Sequence, residues 1–326
     1  MTLSRIAQLA HVSLSTVSKA FSGSSEVNEQ TRRMIFDIAQ QHGCFQKFYN
    51  AKYPKYVIAV LCPEFSSLHY MMYLDAIQKQ LEQHNCEICM ASTNFSAEKE
   101  QELLEYYYKY SRVDGIIGIN LLADPAPQME IPVILVAAHN PSASAVLLDS
   151  QSSLEKAVTH LVHSRVNSIG FIGESLTTQK AQLVQQVLNR HGLSLAESLA
   201  VTTDRRFEDG GYSAMEELFK RGTLPRALIC AYDYMAIGAI RCILDHGLHI
   251  PDDIAVLGMD DIPEARYLNP PLASIAYPVQ QAGETAASMM LRQLHSHQSQ
   301  PAQTIPCVFH LRDSFVFRDN PSVWEV

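Results

Sequence analysis

Twice after Tyr56 the sequence places short apolar runs between longer segments of helical periodicity, and that alternation leaves few folds open. An apolar run too short to cross a membrane suits a strand buried on both faces, and such strands joined by helices pair in parallel. The first series predicts strands near Val57–Cys62, Glu87–Ala91, Gly115–Ile119 and Val133–Ala137. The second follows Asp149, with strands near Ser168–Ile172, Leu199–Thr202, Ala227–Ala231 and Ile254–Met259, and helices such as Gly210–Lys220 and Tyr234–His246 between them. The chain then returns through Ser274–Pro278 to a helix near Val279–Leu294 and a strand-rich tail at Cys307–Leu311, while Gln293–Gln303 reads as a surface loop. A body of two doubly wound lobes that exchange chain is expected. Ligands of open parallel sheets lie off the carboxyl ends of the strands, so a cleft between the lobes is the expected binding place.

The residues before this body have another texture. Helices are expected over Leu3–Ala10, from Leu14 to about Phe21, and from Glu29 to about His42, with Asn28 as N-cap and Gly43 as the stop. Ile6, Ala10, Val12, Val17, Ile35, Ile38 and Ala39 supply one small core. The fold class is therefore multidomain: an all-α helix-turn-helix head at 1–43, a linker at 44–55, and an α/β body at 56–326. Lobe 1 takes about 56–148 with part of 279–326, and lobe 2 takes about 149–276.

Net charge is −9, which opposes nucleic acid until it is divided along the chain. Residues 1–55 hold seven basic side chains against three acidic, while the rest holds 18 against 31. A basic head on an acidic body brings only the head to a phosphate backbone. The first ten residues lack the apolar run of a secretory signal, and the seven cysteines are scattered and odd in number, so a cytoplasmic chain with reduced thiols and no membrane span is expected.

Ala7–Lys19, AQLAHVSLSTVSK, has the form of a helix, a tight turn and a second helix capped by Ser13. That geometry exposes the second helix to a major groove. Leu14, Ser15, Thr16 and Lys19 lie on its outward turns as base-reading candidates: Lys19 for guanine O6 or N7, Ser15 for several base edges, Leu14 for a thymine methyl. Ser13, Ser18, Ser22, Asn28, Thr31 and Arg32 suit phosphate oxygens, which position without specifying. The bland counterpart is a three-helix packing unit with a solvated basic face.

With these residues in view, the chain resembles the lactose-repressor and galactose-repressor (LacI/GalR) family of bacterial regulators. TLSRIAQLAHVSLSTVSKAF and VNEQTR resemble that family's head, and VDGIIGIN, SIGFIGE, DYMAIGAIR, IPDDIAVLGMDD and NPPLASI follow in the body in the family's order. The resemblance implies a homodimer on a pseudo-palindromic double-stranded operator and a body similar to periplasmic sugar-binding proteins. It also implies that a small effector changes lobe closure and so the spacing of the two heads. No cofactor, metal or enzymatic activity is implied. The alternative is a solute-binding-protein-like sensor, or a regulator without an effector response.

The departures are informative. His11 stands where the family's turn usually has glycine, so a positive φ is expected there, and Lys19 stands where arginine is usual. The linker is shorter than the family's and lacks its leucine; Phe48 or Tyr49 offers an apolar wedge for the minor groove, or the segment is an extended tether. Ala137, Lys180 and Tyr232 replace an aspartate, an arginine and an asparagine that commonly contact sugar in the family, while Asp260 is kept. His69, Tyr70, His139, Lys180, Tyr232 and Asp260 are the effector candidates, with Lys180 pairing an anion and Tyr232 stacking on a ring. Their counterpart is an exposed lysine and a packed tyrosine. Cys86 and Cys89, with His84 before them, fall on a strand where they face opposite sides, which does not suit a metal.

Overall fold

The computed structural model describes residues 1–48, 56–111, 113–122, 129–138, 144–296 and 298–317. Spatially the chain divides into two compact units, one of residues 1–66, 70–145 and 283–302, the other of 67–69, 146–282 and 303–326.

The head is built from α1 (Leu3–Leu9), α2 (Leu14–Phe21) and α3 (Glu29–Gln41). Each starts where a short polar side chain takes up a free amide of the first turn. Thr2, Ser13 and Asn28 accept from the amides of Arg5, Thr16 and Thr31. The turn between α1 and α2 needs a left-handed residue, and His11 supplies it with φ 52°. Of the expected core, Ile6, Ala10, Val17, Ile35 and Ala39 are buried in one cluster, Val12 and Ile38 pack partly buried against it, and Phe21 joins it unforeseen.

One segment departs from the linker expected after Gly43. Phe45–Phe48 forms a further helical turn, α4, and Cys44 is buried. Rings three residues apart fall on the same face of a helix. Phe45 lies 5.9 Å from Phe21 and 4.9 Å from Phe36, and Phe48 lies 5.9 Å from Phe21. Phe48 is thus committed to the head's own core, which withdraws it as a minor-groove wedge. Tyr49 and the rest of the linker to Lys55 lie outside the described residues.

The body contains two six-stranded sheets. The first uses β1 (Tyr56–Cys62), β2 (Cys86–Ser92), β3 (Gly115–Ile119), β4 (Val133–Val136), β5 (Ala145–Asp149) and β11 (Gln303–Pro306), in the order β11-β5-β4-β3-β1-β2. β1 pairs in parallel with β2 and β3, β3 with β4, and β5 with β11. The second uses β6 (Ile169–Glu174), β7 (Ala200–Thr203), β8 (Ala227–Cys230), β9 (Ala255–Asp260), β10 (Ala273–Ala276) and β12 (Val308–His310), in the order β12-β10-β9-β8-β6-β7. Its pairs are parallel except β12 against β10. Both β3 and β6 are buried along their whole length, the state an unbroken apolar run demands. Strands β5 and β11 are additional to those expected: Gln303 closes a stretch that reads as loop, and β11 is a partly exposed edge strand with no apolar run to mark it.

The described helices of the body include α5 (Leu68–Glu82), α6 (Ala97–Glu105), α7 (Gln151–His163), α8 (Thr178–Arg190), α9 (Phe207–Arg221), α10 (Asp233–Asp245) and α11 (Val279–Ser296). Helices α9 and α10 approach closely at Gly211 and Gly238, where a β-carbon would strike the carbonyl oxygens of Met235 and Glu208. Among the described residues no helix is long and apolar enough to cross a membrane. Non-glycine residues with positive φ gather just past the carboxyl ends of strands: Asn94 and Phe95 after β2, Asn120 after β3, Ala137 after β4, Asp260 and Asp261 at and after the end of β9. Such conformations cost about 1–3 kcal/mol each and mark places where the surroundings force the backbone, commonly ligand sites.

Candidate DNA-reading head and ligand site

Helix α2 presents Leu14, Ser15 and Ser18 to solvent. Leu14 is half exposed, an apolar side chain left bare on a polar face. Ser13 spends its hydroxyl locally, accepting from the amide of Thr16 at 3.0 Å and sharing a proton with the Thr16 hydroxyl at 2.8 Å. Ser22 donates to the carbonyl of Lys19 at 3.1 Å, and Asn28 accepts from the amide of Thr31 at 2.8 Å. Ser13 and Asn28 therefore shape helix N-termini, leaving the first-turn amides of α2 and α3 as the groups suited to phosphate.

Two basic candidates behave differently from one another. Lys19 keeps its ammonium at the surface, 2.5 Å from Glu26 in the α2–α3 connection. Arg32 points inward and donates to the carbonyls of Ser24 at 2.7 Å, Val27 at 3.1 Å and Ala20 at 3.4 Å. Its side chain is only 13% exposed. Arg32 is thus corrected from a phosphate contact to a clamp on the α2–α3 connection, because the planar guanidinium satisfies several orphan carbonyls at once.

In the second unit, three of the effector candidates converge. Lys180, in the first turn of α8, donates to the carbonyl of Ala231 at 2.8 Å and lies 3.4 Å from Asp260 Oδ1. His69 Nδ1 is 3.5 Å from the same oxygen. The sequence reading missed Tyr277, whose ring lies 5.1 Å beneath the Lys180 ammonium and 5.9 Å from the His69 ring. Burial pushes the Tyr277 hydroxyl up, with Lys180 opposing. Asp260 is presented on unusual backbone, φ 111°, at the end of β9, and is one-tenth exposed.

Next to Asp260 lies a carboxyl group, that of the first residue of the DYMAIGAIR stretch, which is not among the site candidates. Asp233, at the start of α10, is fully buried and accepts from the Ser274 hydroxyl at 2.7 Å and the Ile262 amide at 2.9 Å. Ser274 in turn accepts from the amide of Asp261 at 3.0 Å. Asp261 is held from outside by Arg312 at 2.6 Å, with Arg266 and His310 farther off. Burial and the neighbouring Asp260 carboxylate push Asp233 well above the ordinary carboxyl value. The turn that carries Asp260 is therefore locked on both sides.

The other candidates lie elsewhere. Tyr232 is buried; its hydroxyl accepts from the Phe207 amide at 3.0 Å, which corrects its expected stacking on a ligand, since the ring is spent on packing against Phe207. Nearby, Arg206 pairs with both oxygens of the buried Glu174 at 3.1 and 3.3 Å. Tyr70 belongs to the first unit, where its hydroxyl accepts from Asn120 at 3.2 Å. His139 lies outside the described residues. Ala137 adopts φ 54° beyond β4.

Comparison with known proteins agrees with this division. Residues 2–44 match the model of bacterial regulatory proteins of the lacI family, and residues 158–315 match that of the periplasmic binding protein-like domain. The ribose operon repressor of Haemophilus influenzae is 25% identical over 307 residues, covering 90% of this chain and 92% of the relative. The HTH-type transcriptional regulator GalR of Streptococcus thermophilus is 26% identical over 322 residues, covering 93% and 96%. The fold is shared with a lac repressor dimer bound to operator and anti-inducer, TM-score 0.74 at 20% identity, covering 97% of this chain and 99% of that one. It is shared also with a complex of transcriptional regulator CelR with cellobiose, TM-score 0.69 at 24% identity, covering 96% and 99%. A lacI-type helix-turn-helix head joined to a periplasmic-binding-protein-like body places this chain in the LacI family of transcription regulators.

Proposed function

We propose that the chain is a repressor acting in the cytoplasm as a two-fold homodimer on a pseudo-palindromic operator, with a small metabolite in the body setting operator affinity. The observation that carries this is the outward face of α2, where a bare Leu14 stands beside Ser15 and Lys19 on a helix with a capped, open N-terminus. Leu14, Ser15, Thr16 and Lys19 read base edges in this proposal, and Ser13, Ser18, Ser22, Asn28 and Thr31 set the register on phosphates.

The effector site is built on Lys180, Asp260 and His69 in the second unit. Because Lys180 already faces Asp260 and a carbonyl, an anion must compete for it, whereas hydroxyl groups can be added to the existing set. The names of two similar proteins carry ribose and cellobiose. A sugar, or a sugar phosphate that displaces Asp260 from Lys180, is the effector class this supports. Burial pushes the thiols of Cys62 and Cys242 to about 11 and that of Cys307 to about 12, so these three sulfurs stay protonated and poor as nucleophiles.

Selection of a randomised duplex pool on the purified protein, with a parallel thermal-shift screen of free and phosphorylated sugars, tests both halves. Enrichment of an inverted repeat and a sugar that shifts both melting and DNA affinity are expected. No enrichment over random competitor at low salt defeats the DNA half; silence of every sugar defeats the effector half.

A further inference from the structure

Lysine in place of arginine at position 19 poses a physical problem. An ammonium on a four-carbon stem is a point charge with three freely rotating donors, and it lacks the rigid fork that reads O6 and N7 of guanine together. The structure around Lys19 contains a remedy. Glu26 sits 2.5 Å from its Nζ, seven residues on, across the α2–α3 connection.

The main chain on both sides of Glu26 is pinned. Arg32 holds the carbonyls of Ser24 and Val27, and the Glu26 amide donates to the Ser24 hydroxyl at 3.3 Å. The carboxylate is thus delivered to Lys19 from a fixed support, unlike the ordinary surface pair between Arg33 and Glu29 on one helix. Once one ammonium hydrogen is given to Glu26, the other two are restricted to a cone facing away from it. A restricted pair of donors is what guanine's two acceptors require.

The same glutamate acts on non-specific binding in the opposite direction. Affinity for arbitrary duplex comes from cations placed against phosphates. Here Lys19 is paired with Glu26, Arg32 is turned inward, Arg33 is paired with Glu29, and Arg5 donates to Gln8 at 3.0 Å. A carboxylate next to the reading helix lowers attraction to every sequence alike, whereas its aiming of Lys19 helps only where guanine lies.

We propose that Glu26 is a positioning residue for base recognition: it makes Lys19 a two-donor reader of guanine and suppresses binding to unrelated duplex. This rests on the DNA-binding reading above. The test uses the full-length protein and the duplex enriched from a randomised pool by the wild type. The base pair of interest is the one whose preference disappears in Lys19→Ala. Fluorescence anisotropy at two salt concentrations then compares wild type and Glu26→Gln on three duplexes: the enriched one, the same with that base pair replaced, and the random pool.

Glu26→Gln is expected to lose about tenfold of the discrimination at that base pair. It is expected to bind the random pool several-fold more tightly with a salt slope steeper by about 1. In a Lys19→Ala background the same change leaves base preference unaltered while still raising affinity for the pool. Equal discrimination by wild type and Glu26→Gln overturns the positioning role, as does a loss that persists without Lys19, which would mean that the carboxylate reads a base itself. If the wild type enriches nothing, the DNA-binding reading falls and this inference with it.

Discussion

Lys19 in the head and Asp260 in the second unit are both assigned to ligand contact, yet their surroundings hold them by different means. Lys19 is 43% exposed and its partner Glu26 67%, so water screens the pair and its release costs at most about 1 kcal/mol. Asp260 is one-tenth exposed and rests on a turn fastened by the buried Asp233 and by the Asp261–Arg312 pair. Ions in such a place are costly to strand. The head's pair stays open to water, so the ammonium can turn its two other donors to DNA while Glu26 keeps the third. The body's site must hold one geometry for a small molecule, and a locked turn provides it.

The contrast breaks most readily at Asp233. Asp233→Ala is expected to destabilise the second unit by about 3–5 kcal/mol, because the Ser274 hydroxyl and the Ile262 amide lose their buried acceptor; urea unfolding followed by tryptophan-independent circular dichroism measures it. A loss under 1 kcal/mol would mean that the turn does not depend on this carboxylate. Since burial raises Asp233 in the folded state above its ordinary 3.8, the native protein holds a proton that the unfolded chain releases. Its contribution is complete below that value and fades as pH rises toward the raised one. Asp233→Asn should therefore show a smaller decline in urea midpoint than the wild type between pH 4 and 8.

Arg312→Ala comes next, at about 3 kcal/mol, since Asp261 would be left with only the distant Arg266 and His310. A fall in ligand affinity alongside it, read by calorimetry once a sugar is found, would sharpen the link between the lock and Asp260. In the head, Arg32→Ala should cost about 2 kcal/mol and raise amide exchange through Ser24–Val27, the stretch it clamps. If it instead left stability unchanged and only lowered DNA affinity, the phosphate role would return. Arg33→Ala, which removes an exposed pair with Glu29, should change stability by less than about 0.5 kcal/mol. A larger effect would blur the distinction between the two regions.

Much of the framework was legible in the residues, since it follows from local chemistry. Thr2, Ser13 and Asn28 announce helix starts, Gly43 a stop, and runs such as Gly115–Ile119 can hardly be anything but buried strand. Positive φ at His11 was foreseeable from the resemblance, which puts glycine at that place in the turn. Side-chain direction was not. Arg32 and Lys19 are equally cationic in sequence, and only the position of the α2–α3 connection turns one inward and leaves the other out. Tyr232 looked free to stack because nothing nearby in sequence shows that the Phe207 amide would take its hydroxyl. The lock on Asp260 draws on residues 233, 274 and 312, a separation that no periodicity records.

The aromatic turn at Phe45–Phe48 has a practical corollary. A head transplanted onto another sensor, or expressed alone, is complete only when it carries the segment through Phe48; cut at Gly43, it would leave Phe21 and Phe36 facing water. Any chimera joined at the motif's apparent border would begin life with an unsealed core and a greasy patch inviting self-association.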